Sequence, residues 1–524
     1  MNEISRISNV SGTEADVVVV GGGGAGLAAA IEAARLGRTV ILLEKNPEIG
    51  GTTGRSVGSI TSSSTPFQAK KGIVDTPQAH FEDMALFAKL AGHDPDVKDN
   101  LELRRLLVEH SPDTINWLTD MGIVFFGPMA EPPHRVPRMH NILPNSRSYI
   151  YHLEKRARHL GVDIRTNARA IEILRTGNRV TGVACEVSGA AQRFTARSGV
   201  ILAAGDYSSG QELKSAYLDA DRADIEGINE TSTGDGQRLA VAVGAQMVNG
   251  DVVYGPEIRF VAPPKRKLIA MIPPWRPVGL FMRWSLEYMP SWLLRPFLMM
   301  FVTTFLAPSN KLFEEGAILV NKKGERFVDE TNRPQFAIPK QPDRVAYLIM
   351  DDEIARKFEA WPNFVSTAPG VAYAYLADYK RNRKDVYASA ASLDELAQKV
   401  GIPPAQLRET IDKHNANLPA GKPAIRQGPF HVLGPAKSWI PITDGSPRVS
   451  SRLEILDRNG KPIPGLYGAG SSGQGGVLLE GHGHHLGWAL TSGRLAGKFA
   501  AFGPQEDAEA ISLSASPTAS TQIH

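Results

Sequence analysis

Two glycine-rich stretches near opposite ends of the 524-residue chain carry the residues best suited to chemistry. The first is Gly21-Gly-Gly-Gly-Ala-Gly26, the G-x-G-x-x-G spacing of a dinucleotide cradle. In that spacing Gly21 permits a tight turn. Gly23 lets the backbone approach a pyrophosphate, and Gly26 lets helix and strand pack closely. Glu44 follows near the distance expected of a carboxylate that binds a ribose hydroxyl. The second stretch is Leu479-Glu-Gly-His-Gly-His-His485. Its carboxylate and imidazoles can move protons. Three imidazoles can also ligate a metal, but H-x-H-H in a glycine-rich loop is no standard spacing, and no metal is expected. Polar packing is the remaining reading.

The flanking elements decide what the first stretch can do. Val17 to Val20 reads as a buried parallel strand, Leu27 to Leu36 as a helix and Thr39 to Glu44 as a second strand. Free N–H groups and the positive dipole end at the helix N-terminus suit phosphates. This β–turn–α–β–acid frame predicts dinucleotide binding and leaves NAD and FAD both open. The Gly/Thr/Ser-rich loop at 50–59 can wrap a long cofactor. Short apolar strands ending in glycine, at 200–205 and 465–470, return the chain to the same sheet.

Between these anchors the pattern alternates. Residues 77–118 and 149–161 read as helical, with strands at 162–165, 168–175 and 179–187. Asp235 stands at the start of a helix over 237–243, where capping is the simplest role. Residues 316–321 and 322–330 read as two strands of a hairpin, and 345–350 as another strand. Helices are expected from 352, at 393–400 and at 404–418. Residues 453–463 read as a hairpin turning at Asn459-Gly460. A closing helix is expected over 488–502. The polar loop His134–Arg138, with His140 beside it, suits either an anion or a solvated connector. Residues 280–307 are strongly apolar, with Trp284, Tyr288 and Trp292 four apart and Phe297, Phe301 and Phe305 four apart. Three readings stand: a core or oligomer contact, a segment dipping into a membrane interface, or a wall of the substrate pocket.

Composition excludes several classes. Net charge is +3 with no long basic run, so no nucleic-acid partner is expected. Cys185 is the only cysteine, which excludes a disulfide framework, a cysteine-ligated iron–sulfur cluster and a CxxC pair. The polar N-terminus shows no apolar signal core, so a cytoplasmic location is expected, with membrane association through 280–307 as the variant.

In order along the chain stand the turn at 21–26, Glu44-Lys45, Gly50-Gly-Thr-Thr53, Leu202-Ala-Ala-Gly205, Gly234-Asp-Gly236, Gly324-Glu-Arg-Phe-Val-Asp-Glu330 and Pro464-Gly-Leu-Tyr-Gly-Ala-Gly470. As a set they resemble the FAD-dependent fumarate reductase/succinate dehydrogenase flavoprotein family, which includes 3-ketosteroid dehydrogenase-like enzymes. The resemblance covers about residues 15–502. It implies an α/β fold: a Rossmann-like FAD-binding domain with an inserted α+β capping (substrate) domain. The expected division is a flexible N-terminus at 1–15, FAD-binding parts at 16–252 and 436–503, a capping domain at 253–435 and a disordered tail at 504–524. The implied FAD contacts are Gly21, Gly23, Gly24, Ala25, Gly26, Glu44, Lys45, Gly51, Thr52, Thr53, Ser56, Ala168, Ala204, Gly205, Asp235, Gly470, His485 and Leu486. Residues 50–64 lack the histidine through which succinate dehydrogenases attach FAD, so non-covalent FAD is expected.

The family exchanges a hydride between flavin and a carbon beside an activating carbonyl or carboxylate, with a side chain moving the matching proton. Here the chain departs from both better-known branches. Arg333 is the nearest match to the fumarate reductase proton donor but is offset by one residue. The histidine before a Thr-x-Gly-Gly turn is replaced within Ile442-Thr-Asp-Gly-Ser446. Glu480 aligns with the arginine that clamps a dicarboxylate, which it would repel. Leu479 aligns with the tyrosine base of ketosteroid dehydrogenases, and Gly483 matches their oxyanion-hole glycine. Arg333, Glu480, His482 and Gly483 are therefore the catalytic candidates. The expected function is dehydrogenation or reduction of a carbon–carbon bond next to a carbonyl, on an apolar or cyclic, steroid-like ketone, with an unidentified electron acceptor or donor. Alternatives are a fumarate reductase-like enzyme acting on a small carboxylate, a flavin oxidase or hydroxylase, and a flavin-binding subunit with decayed catalysis.

Overall fold

The computed structural model describes residues 12–263, 272–305, 307–368, 372–418 and 423–503. The expected tail at 504–524 and all but the last residues of the expected N-terminal lead-in lie outside them.

The valine run forms the strand Glu14–Val20 at the heart of an eight-stranded sheet. It pairs in parallel with Val40–Leu43 on one side and with Ala190–Leu202 on the other, placing Val18 between Ile41 and Val200. Its apolar residues on both faces are buried, as a central parallel strand requires. Pro462–Gly468 adds in parallel to Ala190–Leu202, so the C-terminal part of the chain completes the sheet that its N-terminal part begins. The first helix, Gly24–Arg35, lies against the last, His484–Phe502. Glycines make this crossing close: a Cβ on Gly493 or Gly497 would stand 2.3 or 2.2 Å from the carbonyl oxygens of Ala25 or Ala29.

A second, six-stranded sheet is organised around the long strand Phe430–Ile440. Ala346–Met350, Tyr387–Ala390, Glu257–Phe260 and the short Glu226–Gly227 all pair with it. It gathers its own hydrophobic core, which includes Leu319, Leu348, Ile349 and Leu433. Phe430–Ile440 runs straight through 435/436, where the sequence suggested a border. A three-stranded sheet joins Ser59–Thr61, Met139–Leu143 and Val124–Met129.

Three local expectations need correction. Residues 322–330 form no second hairpin strand. Only an isolated bridge joins Val320 and Arg326, and the segment is held by side chains, with Arg326 on Glu330 and Glu330 accepting from the Leu319 N–H. The apolar run 280–307 is two helices, Arg276–Tyr288 and Ser291–Phe305, broken at Met289-Pro290. Trp292 therefore shares no helix with Trp284 and Tyr288. The side chains of Phe297, Phe301 and Phe305 lie outside the described set. The closing helix starts at His484 rather than Trp488, because Gly483, at φ +89°, turns the chain into the helix four residues earlier.

Candidate functional site

One long cleft, with about 1010 Å3 of empty volume, runs from the glycine turn to the first turn of the last helix. Seventeen of the eighteen residues expected to touch FAD line it, including Gly23, Glu44, Thr53, Asp235, His485 and Leu486. Gly26 is the exception. A Cβ there would stand 1.9 Å from the Gly21 carbonyl oxygen, so it serves the fit of helix on turn. At Gly23 nothing lies within 4 Å of a Cβ position, leaving this backbone face open to a ligand.

Side chains lock this end. Glu44 Oε2 accepts from the Gly22 N–H at 2.7 Å, and Oε1 accepts from the Asn46 N–H at 2.8 Å. A carboxylate has further lone pairs, so Glu44 can hold the turn and a hydroxyl together. Thr53 Oγ1 accepts from the Gly24 N–H, tying the wrapping loop to the helix start. Asp235 meets Lys45 at 3.0 Å, Arg169 at 3.0 Å and Arg238 at 2.8 Å. Burial would raise its pKa, but the bonds and charges of Arg169 and Lys45 outweigh that and hold it below the usual range. One carboxylate thus gathers three cations, of which only Lys45 lines the cleft. No lining residue is an arginine, and Lys45 is the one lysine among them.

The opposite end is built from side chains of distant segments. His485, on the first turn of the last helix, points Nε2 at Asp444 Oδ1, 3.0 Å away. Burial pulls its pKa down, but Asp444, with Glu480 and Asp206, more than reverses this and raises it. The Tyr254 ring lies 5.9 Å from the His485 ring. Glu480 is buried, with Oε1 3.3 Å from His93 Nε2 and Oε2 without a hydrogen-bond partner. Burial and the nearby Asp444 push its carboxyl up to about 7. Asp206, also buried, is pushed up to about 6. Carboxyls titrating near neutrality beside an imidazole are equipped for proton transfer.

The four catalytic candidates separate. Glu480 stands just behind His485, outside the lining itself. His482 is exposed and hydrogen-bonded through Nδ1 to buried Glu131, which raises its pKa. Gly483 caps the helix against Ile60 and Thr61. Arg333 is not with them. It is exposed, in the left-handed region at φ +47°, and lines a different surface cleft with Asp219, Asp221 and Lys340. Sequence reasoning missed Asp444, Glu131 and His93. Only Asp444 left a trace, standing within the segment where the family's histidine is absent.

Two other clusters resolve as structural. The cations of the His134–Arg138 loop are spent on carboxylates: Arg138 on Asp75 and Asp83, Arg135 on Glu82 and Asp83. Buried His80, His134 and His484 bring ring nitrogens within 4.8 Å of one another. Arg138 lies 2.9 Å from His134 Nδ1 and has only donors, so that nitrogen accepts and Nε2 carries the proton of the neutral ring. His134 then has no lone pair left for a metal. Burial holds His134 at about 2 and His484 at about 4, so both are neutral at pH 7.

Parallel sheet, glycine turn and long cleft suit a dinucleotide, and the comparisons with known proteins make the chain an FAD-dependent oxidoreductase. The chain belongs to the family described as FAD binding domain, whose model matches residues 16–258 and 295–478. NADH:fumarate oxidoreductase of Klebsiella pneumoniae is 27% identical over 87% of this chain, which spans only 44% of that protein. Fumarate reductase (cytochrome) of Shewanella frigidimarina is 27% identical over 93% of this chain and 77% of its own length. Vinyl phenol reductase of Lactiplantibacillus plantarum is 26% identical over 93% of this chain and 96% of its own. Among solved structures, the fold matches an open flavocytochrome c3 fumarate reductase (TM-score 0.70, 24% identity, covering 94% of this chain and 79% of that one). It also matches the 3-ketosteroid-Δ4-(5α)-dehydrogenase of Rhodococcus jostii RHA1 (TM-score 0.58, 23% identity, 94% and 98% covered).

Proposed function

We propose that this flavoprotein reduces or dehydrogenates a carbon–carbon bond conjugated to an activating group, on an apolar or cyclic substrate rather than a dicarboxylate. The observation that carries this is the charge at the substrate end of the cleft. The cleft lining holds no arginine, the carboxylates Glu480 and Asp444 act on His485, and the arginine charges felt at this end, Arg104 at Glu480 and Arg259 at His482 and Tyr254, lie outside the lining. Two substrate carboxylates placed there would meet repulsion. The match to vinyl phenol reductase along nearly its whole length supports an uncharged conjugated alkene.

Bound FAD supplies hydride exchange at the flavin. The chain supplies the proton and the positioning. His485, its pKa raised by Asp444, gives or takes the proton at the neighbouring carbon. Glu480, titrating near 7, resupplies it, and His93 links Glu480 outward. We read the unit around the six-stranded sheet as the substrate domain. FAD is held non-covalently, and an electron partner outside this chain closes the cycle.

A second reading, reduction of a small carboxylate, is favoured by the fumarate reductases among the relatives. Anaerobic reoxidation of the dithionite-reduced holoprotein separates the two. Cyclic enones, steroid enones and vinyl phenols are expected to reoxidise it, whereas reoxidation by fumarate or urocanate alone refutes the apolar reading.

A further inference from the structure

The helix Arg276–Tyr288 is built inside out. The residues it buries are its smallest, Gly279 and Ser285. A Cβ on Gly279 would stand 3.1 Å from both the Leu143 carbonyl oxygen and Val124 Cβ, so the helix lies tight on the strands Val124–Met129 and Met139–Leu143. Its large side chains face outward. Phe281 is 65% exposed and Tyr288 70%, with Leu280 and Trp284 between them on the same arc. The Phe281 and Trp284 rings stack at 6.0 Å, and Trp284 meets Tyr288 at 6.4 Å. Trp275 before the helix and Trp292, 71% exposed at the start of the next one, are exposed as well. Contiguous exposed aromatic surface of this kind marks an interaction site.

Three features select the occupant. The first is composition: indole and phenol rings prefer the boundary between water and hydrocarbon. The second is length. The helix has 13 residues, and no helix of the described residues is long and apolar enough to cross a membrane, so this element would lie on a bilayer. The third is charge. Arg276 and Arg283 flank the apolar arc, and Lys155 acts together with Arg276 on His152, against the single carboxylate Glu287 on the helix. The family match stops at 258 and resumes at 295, so the patch is an addition to the shared catalytic frame.

We propose that this face docks the protein onto an anionic lipid surface, with the helix Arg276–Tyr288 parallel to the membrane and its aromatic rings at headgroup level. Docking leaves the flavin cleft intact, because the helix rests on the strands Val124–Met129 and Met139–Leu143, none of whose residues lines the cleft. The same three-stranded sheet includes Thr61, whose hydroxyl donates to the His482 carbonyl at 2.6 Å.

Flotation of the full-length holoprotein with vesicles tests this. Phosphatidylcholine vesicles containing phosphatidylglycerol are expected to carry the protein up the gradient, and pure phosphatidylcholine vesicles to carry much less. The triple variant Phe281→Ser/Trp284→Ser/Trp292→Ser is expected to retain flavin and lose binding by about tenfold or more. Arg276→Glu/Arg283→Glu is expected to lose the preference for phosphatidylglycerol. Failure of the parent to float with either vesicle, or flotation of the triple variant at the parent level, overturns the proposal. A parent dimer in light scattering that becomes monomeric in the triple variant, without vesicle binding, overturns it in favour of a second copy on this face.

Discussion

The two ends of the flavin cleft are made from different materials. The end at the glycine turn rests on backbone, glycines that crowd one another and a helix start, with Glu44 and Thr53 side chains accepting its main-chain N–H bonds. The end we assign to the substrate is built from side chains: His485, Asp444 and Glu480, drawn from two distant segments and backed by His93 and Arg104 from a third. A backbone site tolerates almost no change in shape, so it is fixed in the sequence pattern. A side-chain site can exchange one charge for another while the scaffold stands, and there substrate choice can change.

The sharpest way to break the glycine-turn end is Gly26→Val. With 1.9 Å between its Cβ position and the Gly21 carbonyl oxygen, the first helix cannot seat on the turn. The purified protein, if it folds, is expected to carry no flavin by absorbance. Full flavin content would remove the cradle assignment.

At the substrate end, His485→Gln keeps the size and the bond to Asp444 but not the charge. It is expected to retain flavin and to lose about 10²- to 10⁴-fold in turnover, the usual range for a general acid or base. Turnover near that of the parent would reduce His485 to packing.

Glu480→Gln is expected to act on stability and on pH dependence. The folded-state pKa, about 7, is raised above the ordinary 4.5, so the folded form binds the extra proton between those values. The parent thus loses stability as pH rises from about 4.5 through 7, and the full cost remains above that. The amide removes this cost. The variant is expected to gain up to about 2–3 kcal/mol over the parent above pH 7 and little below pH 4.5, read by denaturant unfolding. An equal gain at both pH values would show that the carboxyl does not titrate there.

The smallest effect is expected at Arg333. Its side chain faces a separate surface cleft, so Arg333→Ala should leave turnover within about twofold, as for a surface substitution. A loss beyond tenfold would bring this arginine into the flavin cleft during turnover and revive the fumarate reductase comparison.

What could be read from sequence follows the same division. The turn at 21–26, the strand pattern and Asp235 depend on local spacing, and the cleft lining matches them. The early start of the last helix was hidden because Gly481 and Gly483 make 479–487 look like a loop, when the second glycine is the turn into a helix. Asp444 and Glu131 could not be found, because no local pattern places either beside residues 480–485; only the tertiary fold does. The segment 280–307 left three readings open, and its two helices differ: Met299 and Val302 of the second are buried, whereas the first exposes its large side chains. Apolar residues normally mark the buried face, yet here Gly279 and Ser285 are buried and Phe281 and Tyr288 are not.

The central claim is that this end of the cleft moves its proton through His485 and Glu480 rather than through an arginine. Steady-state turnover of a reducible substrate with an artificial electron donor, in which every cycle needs the proton resupplied, tests it most directly when followed across pH. The account predicts a rate that falls as pH rises through about 7 in the parent and in Arg333→Ala, with that break abolished in Glu480→Gln. A break that persists in Glu480→Gln and vanishes in Arg333→Ala would contradict it.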